Sequence, residues 1–426
     1  MKSCQSYIEA EQKRLSRRSF VVGGLIGAAM WASRKTAFAQ ALVRENGNVI
    51  VVVFLRGGAD GLNMVVPYGE DNYYKARPTL AVPTPGSGIG RSLKLDDMFA
   101  LNPDLSPLYP LFQNGELGIV HAVGSYDRTR SHFEAMSAME RGARDDREGQ
   151  DGGWLARHLL SSGGASAPMR TVAFASTMPE SLAGATQAVA IESLADYRLN
   201  VPDDERSATH AALTDLYARH DDVFAEAGRN TLNALQSLRS YDPETSKPEN
   251  GAAYPETGLG QALAQVAYLI RQDVGLEIAC LDAADRGGWD THVAQGPWLT
   301  GLLDDVGKSL AAFRRDVGRE MSRVTVVVQT EFGRRVAENS GYGTDHGRGS
   351  VMLALGGGVV GGRVVADWPG LSNEILEGPG DLPVTTDYRN VLAEMLERRL
   401  GSASISQVFP GLERKGVGMF GGKGEG

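Results

Sequence analysis

Asn48-Val-Ile-Val-Val-Val-Phe-Leu55 runs directly into Arg56-Gly57-Gly58-Ala59-Asp60-Gly61. A β-branched run without polar alternation is the pattern of a strand buried on both faces, and the glycines after it mark a tight loop at its carboxyl end. Similar runs recur outward along the chain at Leu117–Val123, Thr171–Phe174, Leu276–Leu281, Val324–Val328 and Val351–Leu355. Amphipathic stretches separate many of them, notably Trp298–Arg314 and Asp387–Leu400. Strands alternating with helices predict an α/β fold, a mainly parallel central sheet with helices on both faces. Residues 203–240 read as helical and 241–258 as a polar loop. The stretch 180–260 is therefore expected to be a partly helical insertion or lid on a single domain spanning 40–426.

The N-terminus carries a different message. Ser16-Arg17-Arg18-Ser19-Phe20 opens an apolar run to Trp31, followed by Ala37-Phe38-Ala39. Paired arginines, a short apolar stretch and a small-residue cleavage pattern predict a twin-arginine signal peptide over 1–39. Twelve apolar residues rise only about 18 Å as a helix, too short for a bilayer core of about 30 Å. The expected location is periplasmic or extracellular, with the translocase and signal peptidase as processing partners and no stable membrane insertion. Removing the seven basic and two acidic residues of 1–39 takes the net charge from −9 to −14. Such a surface repels nucleic acid. Cys4 leaves with the signal and Cys280 remains alone, so no internal disulfide is available.

Ligands of open parallel sheets bind beyond the carboxyl ends of the strands. Asp60 follows the first strand, and Tyr126-Asp-Arg-Thr-Arg-Ser-His-Phe133 follows the second. Gly288-Trp-Asp-Thr-His292 follows the Cys280 strand, Thr330-Glu-Phe-Gly-Arg334 the Val324 strand, and Thr344-Asp-His-Gly347 precedes the Val351 strand. Asp60, Asp290, His292, Glu331 and His346 thus converge on one edge as candidate ligands for a divalent metal, whether zinc, manganese, iron or calcium. Each has a plainer reading. Asp60 can cap a turn, Glu331 can pair with Arg334 or Arg335, and Asp345-His346 can be loop polarity. His121 reads as a core histidine, and His158, His210 and His220 as solvated helix positions.

Together, Phe54–Asn63, Arg130–Phe133, Gly288–His292, Thr330–Arg334 and Thr344–Gly347 resemble the bacterial domain of unknown function numbered fifteen-hundred-and-one. The order of motifs is also distantly similar to the alkaline phosphatase and sulfatase superfamily. That resemblance implies a metal-binding Asp60, a hydroxyl nucleophile at Thr129 or Ser131 opening a helix, and metal ligands at Asp290, His292 and His346. The chain departs from the superfamily pattern at Phe332, where a ligand histidine is expected. His132, Asp345 or water would then have to substitute, unless only one metal binds. No Cys-x-Pro-Ser-Arg sequence exists, which excludes formylglycine chemistry.

The resemblance implies an exported metal-dependent hydrolase of phosphate or sulfate esters, acting on a small-molecule or polymer substrate. Thr129, Ser131, His132 and Arg130 are the candidate catalytic residues, with Arg130 or Arg334 clamping the transferring group. The alternative is an exported binding or scaffold protein that keeps the fold with a degenerate metal site.

Overall fold

The computed structural model describes residues 47–421 apart from 146–147, 149, 164–166, 168, 239–240, 242–245 and 285–287. The predicted signal at 1–39 lies outside the described residues. In chain order the strands are β1 (Val49–Phe54), β2 (Val65–Val66), β3 (Leu93–Lys94), β4 (Ala100–Leu101), β5 (Leu117–Gly124) and β6 (Thr171–Phe174). They continue with β7 (Ala188–Ile191), β8 (Ile278–Asp282), β9 (Val324–Gln329), β10 (Ser350–Gly356), β11 (Val364–Val365) and β12 (Thr386–Asp387).

Nine of these form one sheet in the order β11-β5-β10-β9-β1-β8-β6-β7, with β12 also on β5, while β2, β4 and β3 make a small separate sheet. β1 sits centrally, parallel to β8 and β9 with Val52 opposite Cys280 and Val327. Only β10 breaks the parallel pattern, running antiparallel to both β9 and β5.

The period of two along β1 sends its residues to opposite faces. Val49, Val51 and Val53 enter a core closed by the helices Gly258–Arg271 and Gln295–Val317, through Leu263, Val266, Leu303, Val306 and Leu310. Ile50, Val52 and Phe54 face the other way, onto the helices Trp154–Ser162 and Tyr388–Met395. All six β1 residues are buried, each worth roughly 1.5–3 kcal/mol of transfer free energy. The fully apolar run is thus explained by two covered faces.

Two sequence expectations need adjusting. The stretch 180–260 contains β7, which pairs with β6 in the main sheet, as well as the helices Arg206–Ala218 and Val223–Ser237. His158 is not a solvated helix position. It is fully buried, with Nε2 3.3 Å from Glu277 Oε1. No helix among the described residues is long and apolar enough to cross a membrane.

Candidate metal centre

Close backbone approach brings the loops after β1, β8 and β9 together. Gly57 has φ +122°, and a Cβ there would stand 2.6 Å from Trp289 N and 2.7 Å from Asp290 N. Gly58 has φ +70°, and its Cβ would stand 2.5 Å from the Phe332 ring. Glycine is required at both positions by conformation and by space. The β1 loop therefore seats the β8 loop, which carries Asp290 and His292, beside the β9 loop, which carries Glu331 and Phe332. An isolated bridge between Arg334 and His346 adds the segment leading into β10. His132 arrives as the first residue of the helix His132–Glu140.

Asp290 Oδ1 is the centre of the cluster. It lies 3.0 Å from His346 Nε2, 3.1 Å from His292 Nε2 and 3.4 Å from His132 Nε2. His292 Nε2 and His346 Nε2 are 2.9 Å apart. His132, Asp290 and His346 each offer a ligand atom within 4.8 Å of the others. Ligands held tetrahedrally at about 2.0–2.1 Å stand about 3.3 Å from one another, so these separations fit a single ion.

The opposite ring nitrogens explain the arrangement. His346 Nδ1 is 2.8 Å from the Arg130 carbonyl oxygen, which can only accept, so Nδ1 carries a proton and Nε2 is the nitrogen turned to the cluster. His132 Nδ1 donates to Glu331 Oε1 at 2.7 Å, and His292 Nδ1 to Asp345 Oδ1 at 3.3 Å. Three imidazoles thus have an Nδ1 proton anchored outward while their Nε2 atoms face a carboxylate oxygen. Outer oxygens that fix the tautomer and ring plane are the usual supports of metal-bound histidine. His132 Nε2 is buried and makes no hydrogen bond. Ring nitrogens converging on a carboxylate oxygen form a set that could hold a cation.

Without a metal, protons answer part of that demand. Burial opposes the charged form of His132, but Asp290 and Glu331 outweigh it and push its pKa up to about 9. Burial, aided by Arg334 and His346, pulls His292 below its ordinary value. Burial would raise Asp290, yet His132, His346 and Arg334 hold it well below the usual carboxylate range. Imidazole nitrogens suit zinc or iron, whereas manganese and calcium favour oxygen ligands.

The other residues singled out from sequence fall into different places. Asp60 is fully buried and separately partnered. Its Oδ2 accepts from Arg77 Nη1 at 2.6 Å and from Gln295 Nε2 at 2.5 Å, and its Oδ1 accepts from Arg77 Nη2 at 3.0 Å. A bidentate guanidinium thus occupies the carboxylate that was expected to take metal. Glu331 stands one layer behind the ligands. Its Oε1 accepts from Gly57 N at 2.9 Å as well as from His132, and Thr330 Oγ1 donates to its Oε2 at 3.0 Å.

Arg130 does not clamp the site, because its Nε donates to Asp381 Oδ2 at 2.8 Å and its Nη2 to the Gly378 carbonyl at 2.7 Å. Thr129 Oγ1 donates to Asp127 Oδ1 at 2.6 Å within its own turn. Ser131 is the N-cap of the His132 helix but makes no side-chain capping bond. Phe332 packs its ring 4.9 Å from His132 and 5.0 Å from His346, forming an apolar wall where a ligand was expected.

Sequence reading missed Arg77, Gln295, Asn339 and Asp381, none of which lies in a recognisable motif. Asn339 Nδ2 reaches Asp345 Oδ1 at 3.0 Å and the His292 carbonyl at 3.0 Å, bracing that histidine. Arg334 is fully buried. Its Nη2 donates to Asp290 Oδ1 at 2.7 Å and to the carbonyls of Gly57 and Trp289, while Nε reaches the Gly58 carbonyl and Nη1 the Thr344 carbonyl.

Fold and site together define an α/β protein whose sheet edge gathers histidines and a carboxylate in metal-ligand geometry. The chain belongs to the DUF1501 family, described as proteins of unknown function, whose family model matches residues 48–401. Among solved structures it is similar to a magnesium-bound mutant of TAB5 alkaline phosphatase, at 13% identity and a TM-score of 0.33, over 73% of this chain and 91% of that one. No curated protein sequence matches it.

Proposed function

We propose that this protein is an exported metal-dependent hydrolase of phosphate or sulfate esters. The observation that carries the reading is the convergence of the Nε2 atoms of His132, His292 and His346 on Asp290 Oδ1, with each Nδ1 held by an outer oxygen. Those four residues would hold the metal. A bound divalent ion supplies Lewis acidity to such a site and offsets the charge of an anionic ester. Arg334 keeps a fixed positive charge against Asp290, in surroundings that allow it no other position. Ser131 offers a hydroxyl next to His132 without a capping role to satisfy, and the helix start beneath it supplies backbone N–H donors to an anion. Thr129, already donating to Asp127, is the weaker nucleophile candidate. The paired arginines at 17 and 18 support export through the twin-arginine route.

The test is metal content and turnover in mature protein purified after native export. About one tightly bound transition-metal ion per chain is expected, with hydrolysis of an aryl phosphate or sulfate ester. His292→Ala should weaken metal binding at least tenfold, whereas His158→Ala should leave it unchanged. Protein that arrives metal-free and takes up no zinc, manganese or iron would sink the proposal. Metal without turnover on any ester would favour the non-catalytic binding protein, a reading to which the tying-up of Arg130 by Asp381 already lends weight.

A further inference from the structure

Arg130 is a non-glycine residue with φ +53°, in the left-handed region. Strained backbone of this kind persists only where the surroundings impose it. Here two features impose it from opposite sides. The side chain is drawn to the tight turn Glu377–Asp381, whose ends pair by backbone hydrogen bonds of 3.0 and 2.8 Å. There Asp381 Oδ2 accepts from Nε at 2.8 Å and from Nη2 at 2.5 Å, and the Gly378 carbonyl accepts from Nη2 at 2.7 Å. The main-chain carbonyl points the other way, 2.8 Å from His346 Nδ1.

Asp381 has no surface role that would explain it, for its side chain is fully buried. His346 needs the brace more than its neighbours do. The rings of His132 and His292 are oriented by carboxylates, whereas His346 relies on a neutral carbonyl whose direction depends on a single strained residue.

We propose that Asp381 and Arg130 are positioning residues for the metal centre: the buried ion pair holds Arg130 left-handed, and its carbonyl thereby fixes the tautomer and ring plane of His346. Neither residue touches metal or substrate. The inference rests on the metal reading of the cluster.

The experiment uses the full mature chain and cobalt(II), which reports both affinity and ligand geometry through its visible absorption. Wild type should bind cobalt with an intense ligand-field spectrum. Asp381→Asn and Arg130→Gly should each weaken binding 10–100-fold, the usual cost of losing an outer support of a metal ligand, and alter the spectrum. Glycine tolerates the positive φ, so Arg130→Gly tests the side-chain anchor without adding strain. Arg130→Lys should recover part of the affinity, because its ammonium group can still pair with Asp381. Arg170→Ala, which breaks a buried pair with Glu277 elsewhere, should lower the melting temperature and leave cobalt affinity unchanged. If Asp381→Asn and Arg130→Gly bind cobalt within twofold of wild type with the same spectrum, the positioning role is wrong and the metal centre stands. If wild type binds no cobalt, the metal reading itself fails and takes this inference with it.

Discussion

Asp60 and Asp290 invite comparison, because each follows a central strand and each is met by a buried arginine. At Asp60 the guanidinium of Arg77 takes both oxygens, Gln295 adds an amide, and nothing is left to bind. At Asp290 the guanidinium of Arg334 reaches only Oδ1, through the same Nη2 that serves two backbone carbonyls, and the side chain stays 41% exposed. One carboxylate is closed and the other open. The same division separates the histidines and the hydroxyls. His121 is buried, with Nε2 3.0 Å from the Val65 carbonyl and Nδ1 accepting from Ala122 N at 2.7 Å, whereas His346 turns one nitrogen toward the cluster. Thr129 spends its hydroxyl on Asp127, whereas Ser131 makes no capping bond. Residue type and strand position do not decide function here. What decides it is whether the neighbours exhaust the group's bonding capacity.

The largest effect should come from the hydroxyls. Ser131→Ala should remove ester turnover by several orders of magnitude, as loss of a nucleophile does, and move stability by less than about 0.5 kcal/mol because no capping bond is lost. Thr129→Ala should keep most of the turnover. Equal rates in wild type and Ser131→Ala would erase the distinction between the open and closed hydroxyl. Next in size is the closed carboxylate. Arg77→Met leaves Asp60 charged and buried without its partner, which should cost about 3–5 kcal/mol by chemical denaturation. The metal content of the folded fraction should not change. A large loss of metal from that variant would show Asp60 to be part of the open site after all.

The smallest effect is the pH response of the closed histidine. Burial pulls His121 down to about 4, against the Val65 carbonyl and Asp60, which favour its charged form. The unfolded chain takes its proton near 6.5 and the folded chain only near 4, so His121 contributes stability above pH 6.5 that is lost as pH falls towards 4. The total is about 3 kcal/mol, from roughly 1.4 kcal/mol per pKa unit. His121→Gln should flatten that part of the stability profile. An unchanged acid limb in the variant would mean that His121 is not the neutral, closed group described above.

Strand positions were legible because two-sided burial writes itself as uninterrupted β-branched residues, as in β1 and β9. The edge was less readable. Ala188-Val-Ala-Ile191 is short and half alanine, so it lacks the bulky run that marks the central strands, and β11 and β12 have two residues each. Direction is not encoded in a strand at all, so nothing in Val351–Leu355 announced that β10 is reversed. At the site, Asp290, His292 and His346 could be grouped from their motifs. Whether Asp60 or Glu331 joined them depended on partners that sequence does not display. Arg77 is seventeen residues from Asp60 and Gln295 more than two hundred, while Glu331 lies one hydrogen bond behind His132. His158 was misread for the same reason, since Glu277 supplies the polar contact that lets an imidazole sit in the core.

The reversed strand has a consequence for how the centre is wired. A parallel strand delivers side chains to the carboxyl edge only as the chain leaves it, but β10 begins at that edge. The segment from Thr330 to Gly349 therefore departs from β9 and returns to β10 at the same rim, and its two ends carry Glu331 and His346. It acts as a handle fastened at both feet. Its middle is pinned as well: Asn339 holds the His292 carbonyl and Asp345, and the carbonyls of Gly341 and Tyr342 accept from Ala294 N at 2.9 Å and Gln295 N at 2.8 Å, so additions or cuts near Ser340 would loosen His292 although both feet stay where the sheet holds them.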